Sequence, residues 1–169
     1  MHWTCSTHSE RETEILGQAL ATVLNPGMVV GLVGPLGAGK TQLVKAIAAG
    51  CGVSPDTVNS PTFVLIQEYP GTLRLYHFDA YRVGDLEEFL DLGVEELMAG
   101  TGVCLIEWAN RFPEAMPANT LWIKIQLLSV NSREWSFRGT GTSSSAAIQQ
   151  LQATWESAIL HNEGDESHN

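Results

Sequence analysis

The sequence predicts an α/β domain, and three features support this. An apolar segment, Met28–Val33, is followed by a glycine-rich loop, Gly34–Lys40, and by a helical segment, Thr41–Ala49. Val103–Trp108 is a second apolar strand, and Thr120–Leu128 alternates apolar and polar residues as a half-buried strand does. Strand, loop and helix in this order begin an α/β domain. At 169 residues, 44% of them hydrophobic, the chain is long enough for one such domain with its own core.

Before the first of these strands, the sequence predicts a helix from Ser9 to about Leu24. Ser9 and Glu12 have the spacing of a capping box, in which each side chain accepts from the other's free backbone N–H. Asn25-Pro26-Gly27 ends the helix. One face of it is apolar and consists of Ile15, Leu16, Ala19, Leu20 and Val23.

The middle of the chain predicts a β-hairpin and a short helix. Thr62–Tyr69 and Leu73–Phe78 are rich in β-forming residues, and Pro70-Gly71 supplies the turn between them. Asp85–Leu92 is an acidic helix, which Gly93 ends.

The last third predicts a second strand pair and a closing helix. Arg133–Arg138 pairs with the alternating strand around Asn131-Ser132, and Ala146–Leu160 forms the helix. The expected organisation is therefore one domain over residues 1–160 and a solvated tail over residues 161–169.

Charge and composition exclude several classes of protein. The formal net charge is −10, and ten acidic residues face only three basic ones between Glu68 and Glu114. A basic stripe for binding a nucleic acid directly is missing. No apolar run approaches the ~20 residues of a membrane span, and the first residues do not resemble a secretory signal. The expectation is a cytoplasmic protein with no membrane association.

The three cysteines, Cys5, Cys51 and Cys104, are odd in number and widely spaced, so they fit neither a disulfide framework nor a zinc site. Cys104 lies within an apolar run and is expected to be a small buried hydrophobic residue.

The glycine-rich loop carries the strongest functional signal. Its sequence, Gly34-Pro35-Leu36-Gly37-Ala38-Gly39-Lys40-Thr41, matches the phosphate-loop pattern in full and lies between a strand and a helix. Such a loop turns backbone N–H groups toward phosphate oxygens, and the positive end of the following helix adds to them. Lys40 would neutralise the β- and γ-phosphates, and the Thr41 hydroxyl would bind Mg²⁺. The loop predicts binding of a nucleoside triphosphate.

Two acidic residues at strand ends are candidates for the remaining roles. Glu107 follows an apolar strand, as in a Walker B element, and Asp79 follows Leu73–Phe78. Ligands gather at the carboxyl ends of the strands in open α/β sheets, so both acids could reach one site. Spacing alone does not decide which of them serves Mg²⁺ and which orients water.

Other residues near these acids have two interpretations each. Trp108 could stack on a ligand or belong to the core, and His77 is more typical of a structural histidine than of a catalytic one. Tyr81 and Arg82 could support Asp79, or Arg82 could pair with acids of the next helix. Ser60-Pro61-Thr62 could be a switch segment or a rigid turn before a strand.

Taken in order, these motifs resemble the TsaE (YjeE) family, the small P-loop ATPases of tRNA threonylcarbamoyladenosine biosynthesis. The resemblance spans the chain from the first helix to the strand after Pro117. It rests on Glu12-Thr13, the phosphate loop, Ser60-Pro61-Thr62-Phe63, His77-Phe78-Asp79-Ala80-Tyr81-Arg82, Leu92-Gly93 and Leu105-Ile106-Glu107-Trp108.

The resemblance implies a P-loop NTPase-like three-layer sandwich, in which helices flank a central mixed sheet of parallel and antiparallel strands. It implies ATP and Mg²⁺ as cofactors, weak intrinsic hydrolysis, and TsaD and TsaB as partners. The partners would transfer the threonylcarbamoyl group to ANN-decoding tRNAs, so this chain would contact tRNA only indirectly, through the complex. The ATPase would reset the complex between turnovers.

Residue roles carried over from the family concern the same site. The catalytic residues would be Lys40, Asp79 and Glu107, and the metal ligands Thr41 and Glu107. The nucleotide would be bound by Gly37, Ala38, Gly39, Lys40, Thr41, Gln42 and Trp108.

Three positions depart from the family pattern. Members often carry an acid at the position of Pro35, a second threonine at that of Gln42, and an acid at that of Asn110. Pro35 lacks an N–H, but this early loop position contributes least to the phosphate cradle.

Three other functions are compatible with a phosphate loop. A small-molecule kinase would need a lid or arginines over the phosphates, and the candidate arginines are few. A GTPase would need an N-K-x-D element, which the sequence lacks. A nucleotide-gated binding module without turnover is disfavoured by the presence of both Asp79 and Glu107.

Overall fold

The computed structural model describes residues 1–58 and 65–166, and describes side chains as far as residue 161. The predictions for Ser60-Pro61-Thr62 and for the first residues of the hairpin lie outside these ranges. Five helices are described: α1 (Glu10–Val23), α2 (Lys40–Gly50), α3 (Leu86–Asp91), α4 (Val94–Ala99) and α5 (Thr142–Glu166). The strands are β1 (His2–Thr7), β2 (Val29–Val33), β3 (Ile66–Tyr69), β4 (Leu75–Asp79), β5 (Val103–Glu107), β6 (Thr120–Leu127) and β7 (Arg133–Gly139).

These strands form one mixed sheet in the order β1-β7-β6-β2-β5-β4-β3. The central strands β6, β2, β5 and β4 run parallel to their neighbours within this group. The outer strands β3, β7 and β1 pair antiparallel. Because β2, β5 and β4 are parallel, their carboxyl ends meet at one edge of the sheet, where ligands gather in open α/β sheets.

Helices pack on both faces of the sheet and confirm the predicted three-layer α/β architecture. On one face, α1, α2 and α5 cover a core that includes Leu16, Val30 and Trp135. On the other face, α3, α4 and short 3₁₀ turns cover a second core around Phe78 and Ile106. This second helical layer lies over β2, β5 and β4, at the half of the sheet that carries the predicted site.

The helix that follows the phosphate loop is held by close packing on α1. A Cβ on Gly17 would collide with the Cβ of Ala46, and one on Gly50 would lie 2.6 Å from the Cβ of Ala21. Glycines at these two places therefore allow α1 and α2 to approach closely. The approach fixes α2, and with it the position of Lys40, its first residue.

The predicted helix start at Ser9 is confirmed with one change in its capping. The Ser9 hydroxyl accepts from the Glu12 N–H at 3.1 Å, as expected. The Glu12 carboxylate accepts from the His8 N–H at 2.8 Å. The reciprocal bond of the capping box is thus made one residue earlier than predicted.

Two elements were not predicted, for different reasons. Strand β1 is an edge strand whose exposed side chains are polar, and its core contacts are few: Trp3 stacks on Phe137 at 5.1 Å and Thr7 is buried. Such a strand has little apolar periodicity. Helix α4 begins immediately after Gly93, which has φ +79° and joins α3 to α4. The glycine therefore ends one helix and also precedes another.

The closing helix is longer than predicted. Helix α5 runs over Thr142–Glu166 and continues into the first six residues of the segment expected to be a tail. In the described part of the chain, no helix has both the length and the apolar character needed to cross a bilayer.

Candidate nucleotide-binding site

The phosphate loop joins β2 to α2 at the carboxyl edge of the sheet. Gly37 has φ +76° and Gly39 has φ +112°, left-handed conformations that favour glycine. Gly39 is the N-cap of α2 and provides no side-chain hydrogen bond to it. The first N–H groups of α2 therefore have no side-chain cap, which leaves the positive end of the helix available to an anion.

The ammonium group of Lys40 lies across this loop. Only 5% of the residue is exposed, and Nζ donates to the carbonyl oxygens of Gly34 at 2.7 Å and Pro35 at 2.9 Å. Burial lowers the pKa of Lys40, and the nearby carboxylates of Glu107 and Asp79 oppose this shift. Pro35, which departs from the family pattern, still contributes through its carbonyl group, which proline retains.

Glu107 is the centre of a buried hydrogen-bonded cluster. Its Oε1 accepts from Thr41 Oγ1 at 2.8 Å and from His77 Nε2 at 2.8 Å. His77 is fully buried on the neighbouring strand β4, and Tyr69 Oη lies 3.4 Å from its Nδ1. A carboxylate can only accept, so His77 carries a proton on Nε2. His77 thus lies behind Glu107 and holds its orientation.

Asp79 is paired with Glu107 in the register of β4 and β5, so the two acids end adjacent strands. Its Oδ1 accepts from the Tyr81 N–H at 2.9 Å. Arg111 fixes the same turn, because Nη1 donates to the carbonyls of Ala80 at 2.5 Å and Val83 at 2.6 Å. The position of Asp79 is therefore set from its own strand and from the turn that follows it.

Trp108 has an unusual backbone for a bulky residue, with φ +60°. This left-handed conformation costs on the order of 1–3 kcal/mol and is typical of functional sites. Its ring lies 4.0 Å from Lys40 Nζ and 4.9 Å from the centroid of the Tyr81 ring. Trp108 is half-buried, and it both packs against neighbouring site residues and lines the cleft. Both interpretations of this residue therefore apply in part.

These residues enclose a cleft of about 540 Å³. All the predicted site residues line it except Ala38, whose side chain is buried and whose N–H donates to the Pro35 carbonyl at 3.1 Å. The lining residues are Leu36, Gly37, Gly39, Lys40, Thr41, Gln42, Asp79, Tyr81, Arg82, Glu107 and Trp108.

A smaller cavity of about 190 Å³ also adjoins the phosphate loop. Gln42, Gly37 and Gly39 line both spaces, and Glu10, Thr13 and Arg133 complete the smaller one. Arg133 Nε also donates to the Ala38 carbonyl at 3.1 Å. Arg133 was not predicted from the sequence, because it lies 95 residues from Ala38 and in a strand without a motif.

Comparisons with known proteins support the resemblance. The family model for the threonylcarbamoyl adenosine biosynthesis protein TsaE matches residues 7–135. The chain is 42% identical over 130 residues to a Treponema pallidum tRNA threonylcarbamoyladenosine biosynthesis protein TsaE, covering 77% of this chain and 96% of that protein. The Bacillus subtilis protein of the same name is 41% identical over 146 residues, covering 86% and 90%.

A solved structure agrees with these matches. The crystal structure of Bacillus subtilis YdiB superposes with a TM-score of 0.73 at 33% identity and covers 90% of this chain and 95% of that one. The chain belongs to the TsaE family. TsaE proteins act in tRNA threonylcarbamoyladenosine biosynthesis and bind ATP through a P-loop, so the family and fold predicted from the motifs are confirmed.

The donor set of the TsaE cleft fits a magnesium ion held together with a nucleotide. Thr41 Oγ1 and Glu107 Oε1 are adjacent hard oxygen ligands, which Mg²⁺ prefers. Among the described residues, no group of three or more His, Cys, Asp or Glu side chains could hold a metal. Mg²⁺ usually binds one or two protein ligands together with phosphates and water, and Thr41 and Glu107 could supply such ligands.

The cysteines lie outside this chemistry. Burial raises the pKa of the Cys5 and Cys104 thiols to about 12, and Cys51 is also buried. All three are free thiols, and Cys104 is the small core residue that the sequence predicts.

Proposed function

We propose that this TsaE protein is a Mg²⁺-dependent ATPase of the cytoplasm that supports a TsaB–TsaD complex. That complex forms N6-threonylcarbamoyladenosine next to the anticodon of ANN-decoding tRNAs. ATP binding and hydrolysis by this chain reset it between turnovers, while the transfer chemistry belongs to the partners. The observation that carries the proposal is the placement of Lys40, Thr41, Asp79 and Glu107 around one cleft.

The phosphates of ATP are assigned to the larger cleft. Lys40 neutralises them, and the N–H groups at Gly37, Gly39 and the start of α2 donate to them. Gln42 lines both cavities, so the two spaces adjoin. We assign the nucleoside to the smaller cavity, next to the phosphates in the larger cleft. Arg133 lines the smaller cavity and is tied to the phosphate loop by its bond to the Ala38 carbonyl, so it is a candidate contact for the nucleoside.

The acids are assigned different roles. Thr41 and Glu107 hold Mg²⁺, which when bound neutralises the charge that develops on the phosphates. Asp79 is the catalytic or switch carboxylate. His77 keeps Glu107 aimed at Thr41, and Arg111 keeps the turn after Asp79 in place.

Weak intrinsic hydrolysis is consistent with this geometry. Both carboxylates already accept hydrogen bonds within the chain, Glu107 from Thr41 and His77 and Asp79 from the Tyr81 N–H. At the rim of the cleft, Leu36 is 75% exposed and Tyr81 is 46% exposed. A partner that covers this rim would exclude bulk water, hold the attacking water in place and so complete the site. The net charge of −10 supports the assignment of tRNA binding to the partners.

The test is Mg²⁺-dependent ATP hydrolysis by the chain alone and with the TsaB–TsaD pair. We expect slow turnover alone and an increase of at least about tenfold with the pair, because the partner closes the site. The Lys40→Ala variant is the blank. An unchanged rate on adding the pair would contradict the partner assignment, and phosphorylation of a small-molecule acceptor would favour a kinase instead.

A further inference from the structure

The second helical layer covers one face of the sheet over β2, β5 and β4, and no other described element covers the same face along β6, β7 and β1. Along β6 and β7, alternate residues such as Ile123 and Phe137 are buried beneath α1 and α5. The residues between them point to the opposite side and are exposed or half-buried. We call this side the open face; it consists of His2, Thr4, Ser6, Trp122, Lys124, Gln126, Glu134, Ser136 and Arg138.

Strand register arranges the open face into rows. Arg138 lies between His2 and Trp122, and Ser136 lies between Thr4 and Lys124. Directly opposed residues in antiparallel strands are near neighbours on one face. The two cations therefore occupy adjacent rows, while the carboxylate of the face, Glu134, lies in the third row.

The charge of the open face is opposite to that of the chain. Its nine residues include Lys124 and Arg138 against one carboxylate, Glu134, whereas the whole chain has a formal net charge of −10. Both cations are exposed. A cationic patch of this kind on an acidic protein complements an acidic surface, and it disfavours a symmetric dimer in which two such patches would face each other.

An apolar cavity of about 360 Å³ lies at the edge of the open face. The Trp122 ring lies at the floor of the cavity and packs over Gly31. A Cβ at position 31 would lie only 3.0 Å from this ring. Lys124 and Arg138 line one side, and Asn110 and Pro113 line the other. A cavity of this size, open to solvent, accepts one or two large apolar side chains, the kind of anchor that dominates binding energy in protein interfaces.

The cavity also adjoins the nucleotide site. Val33, which lines it, immediately precedes the phosphate loop, and Asn110 lies three residues after Glu107. An occupant would therefore touch both segments that lead to the site.

We infer that the open face is the docking surface for an acidic protein segment that inserts an apolar side chain beside Trp122, with Lys124 and Arg138 pairing to its carboxylates. The inference rests on the proposed function for the identity of the partner, since the site that it adjoins is the one that the TsaB–TsaD pair is proposed to complete.

The test is a calorimetric titration of the TsaB–TsaD pair with the full chain. The variant is Lys124→Glu with Arg138→Glu. The matched control is Arg11→Glu with Arg74→Glu, which makes the same change in net charge at two exposed arginines elsewhere. We expect the variant to bind at least about tenfold more weakly and the control to bind within about twofold of the unmodified chain. Added salt should weaken binding of the unmodified chain and have less effect on the variant.

The outcomes separate this inference from the proposed function. Equal binding by the variant and the unmodified chain would overturn the docking surface and leave the ATPase proposal intact. If the unmodified chain does not bind the pair, the partner assignment fails, and a synthetic glutamate-rich peptide with one phenylalanine becomes the probe. Binding of that peptide that the variant loses would support the surface, and no binding would overturn it.

Two other occupants would also overturn it. A tRNA transcript bound by the unmodified chain and lost by the variant would assign the open face to nucleic acid. A dimer in sedimentation that the variant dissociates would assign it to a second copy.

Discussion

Replacing Lys40 by alanine is expected to lower ATP affinity and Mg²⁺-dependent hydrolysis by at least about 100-fold. A single positioned group that stabilises developing charge typically contributes 10²–10³-fold in rate. Lys40 is also the buried cation that spans the loop, with Nζ bonded to two loop carbonyls and 4.0 Å from the Trp108 ring. The measurement is equilibrium titration with ATP and Mg²⁺, followed by calorimetry, together with a phosphate-release assay.

The control is Lys45→Ala, which removes a lysine from the same helix, α2, outside the cleft. Lys45→Ala should leave affinity and rate within about twofold, and circular dichroism should show both variants folded. Unchanged ATP affinity and rate in the Lys40→Ala protein would remove the phosphate loop from the mechanism.

Glu107→Gln is expected to lower hydrolysis by about 100-fold and to raise the Mg²⁺ concentration needed for half-maximal activity. Glutamine keeps an oxygen that can accept from Thr41 and His77, so the fold should survive while the negative charge is lost. Asp79→Asn should lower the rate without changing the Mg²⁺ requirement, because Asp79 is assigned a role other than holding the metal. Magnesium titrations of the unmodified chain, the Glu107→Gln variant and the Asp79→Asn variant measure this difference in Mg²⁺ requirement.

A second substitution at Glu107 separates chemistry from stability. Glu107→Ala leaves the buried His77 ring and the Thr41 hydroxyl without their acceptor, which costs about 1–3 kcal/mol in the free energy of unfolding. Denaturant unfolding should therefore show Glu107→Ala to be less stable than Glu107→Gln. If Glu107→Gln hydrolyses ATP at the normal rate, Glu107 has no part in the reaction.

Much of the fold was predictable from local patterns. The strand before the phosphate loop, the loop itself and the start of α2 are contiguous, so their order in the sequence is their order in space. The helix start at Ser9 was also predictable, because the Ser9 hydroxyl accepts from an N–H only three residues away. The pairing of β6 with β7 followed from the alternation of apolar residues and the intervening turn.

The parts that were not predictable depend on distant contacts. Strand β1 is stabilised by β7, more than 120 residues away, and not by its own apolar pattern. Helix α5 extends beyond its predicted bounds because its segment has little apolar periodicity to mark where the helix starts and ends. In the site, His77 and Arg133 act through Glu107 and Ala38, partners that only the folded chain brings within hydrogen-bond distance.

The proximity of Asp79 and Glu107 was predictable only in part. The sequence places each acid at the end of an apolar strand, and the rule for parallel sheets predicts that they could meet. Their direct pairing across β4 and β5 required the strand order, which no local pattern contains.

If ATP turnover by this chain resets a TsaB–TsaD complex, as proposed, the chain is needed for multiple-turnover modification of tRNA, which can be measured. A limiting amount of the TsaB–TsaD pair would be mixed with an ANN-decoding tRNA transcript, the threonylcarbamoyl donor, Mg²⁺ and ATP, and N6-threonylcarbamoyladenosine would be counted per complex. We expect many products per complex with the unmodified chain, and about one per complex without it or with the Lys40→Ala variant. Continued product formation with the Lys40→Ala variant at the rate of the unmodified chain would contradict the proposed reset.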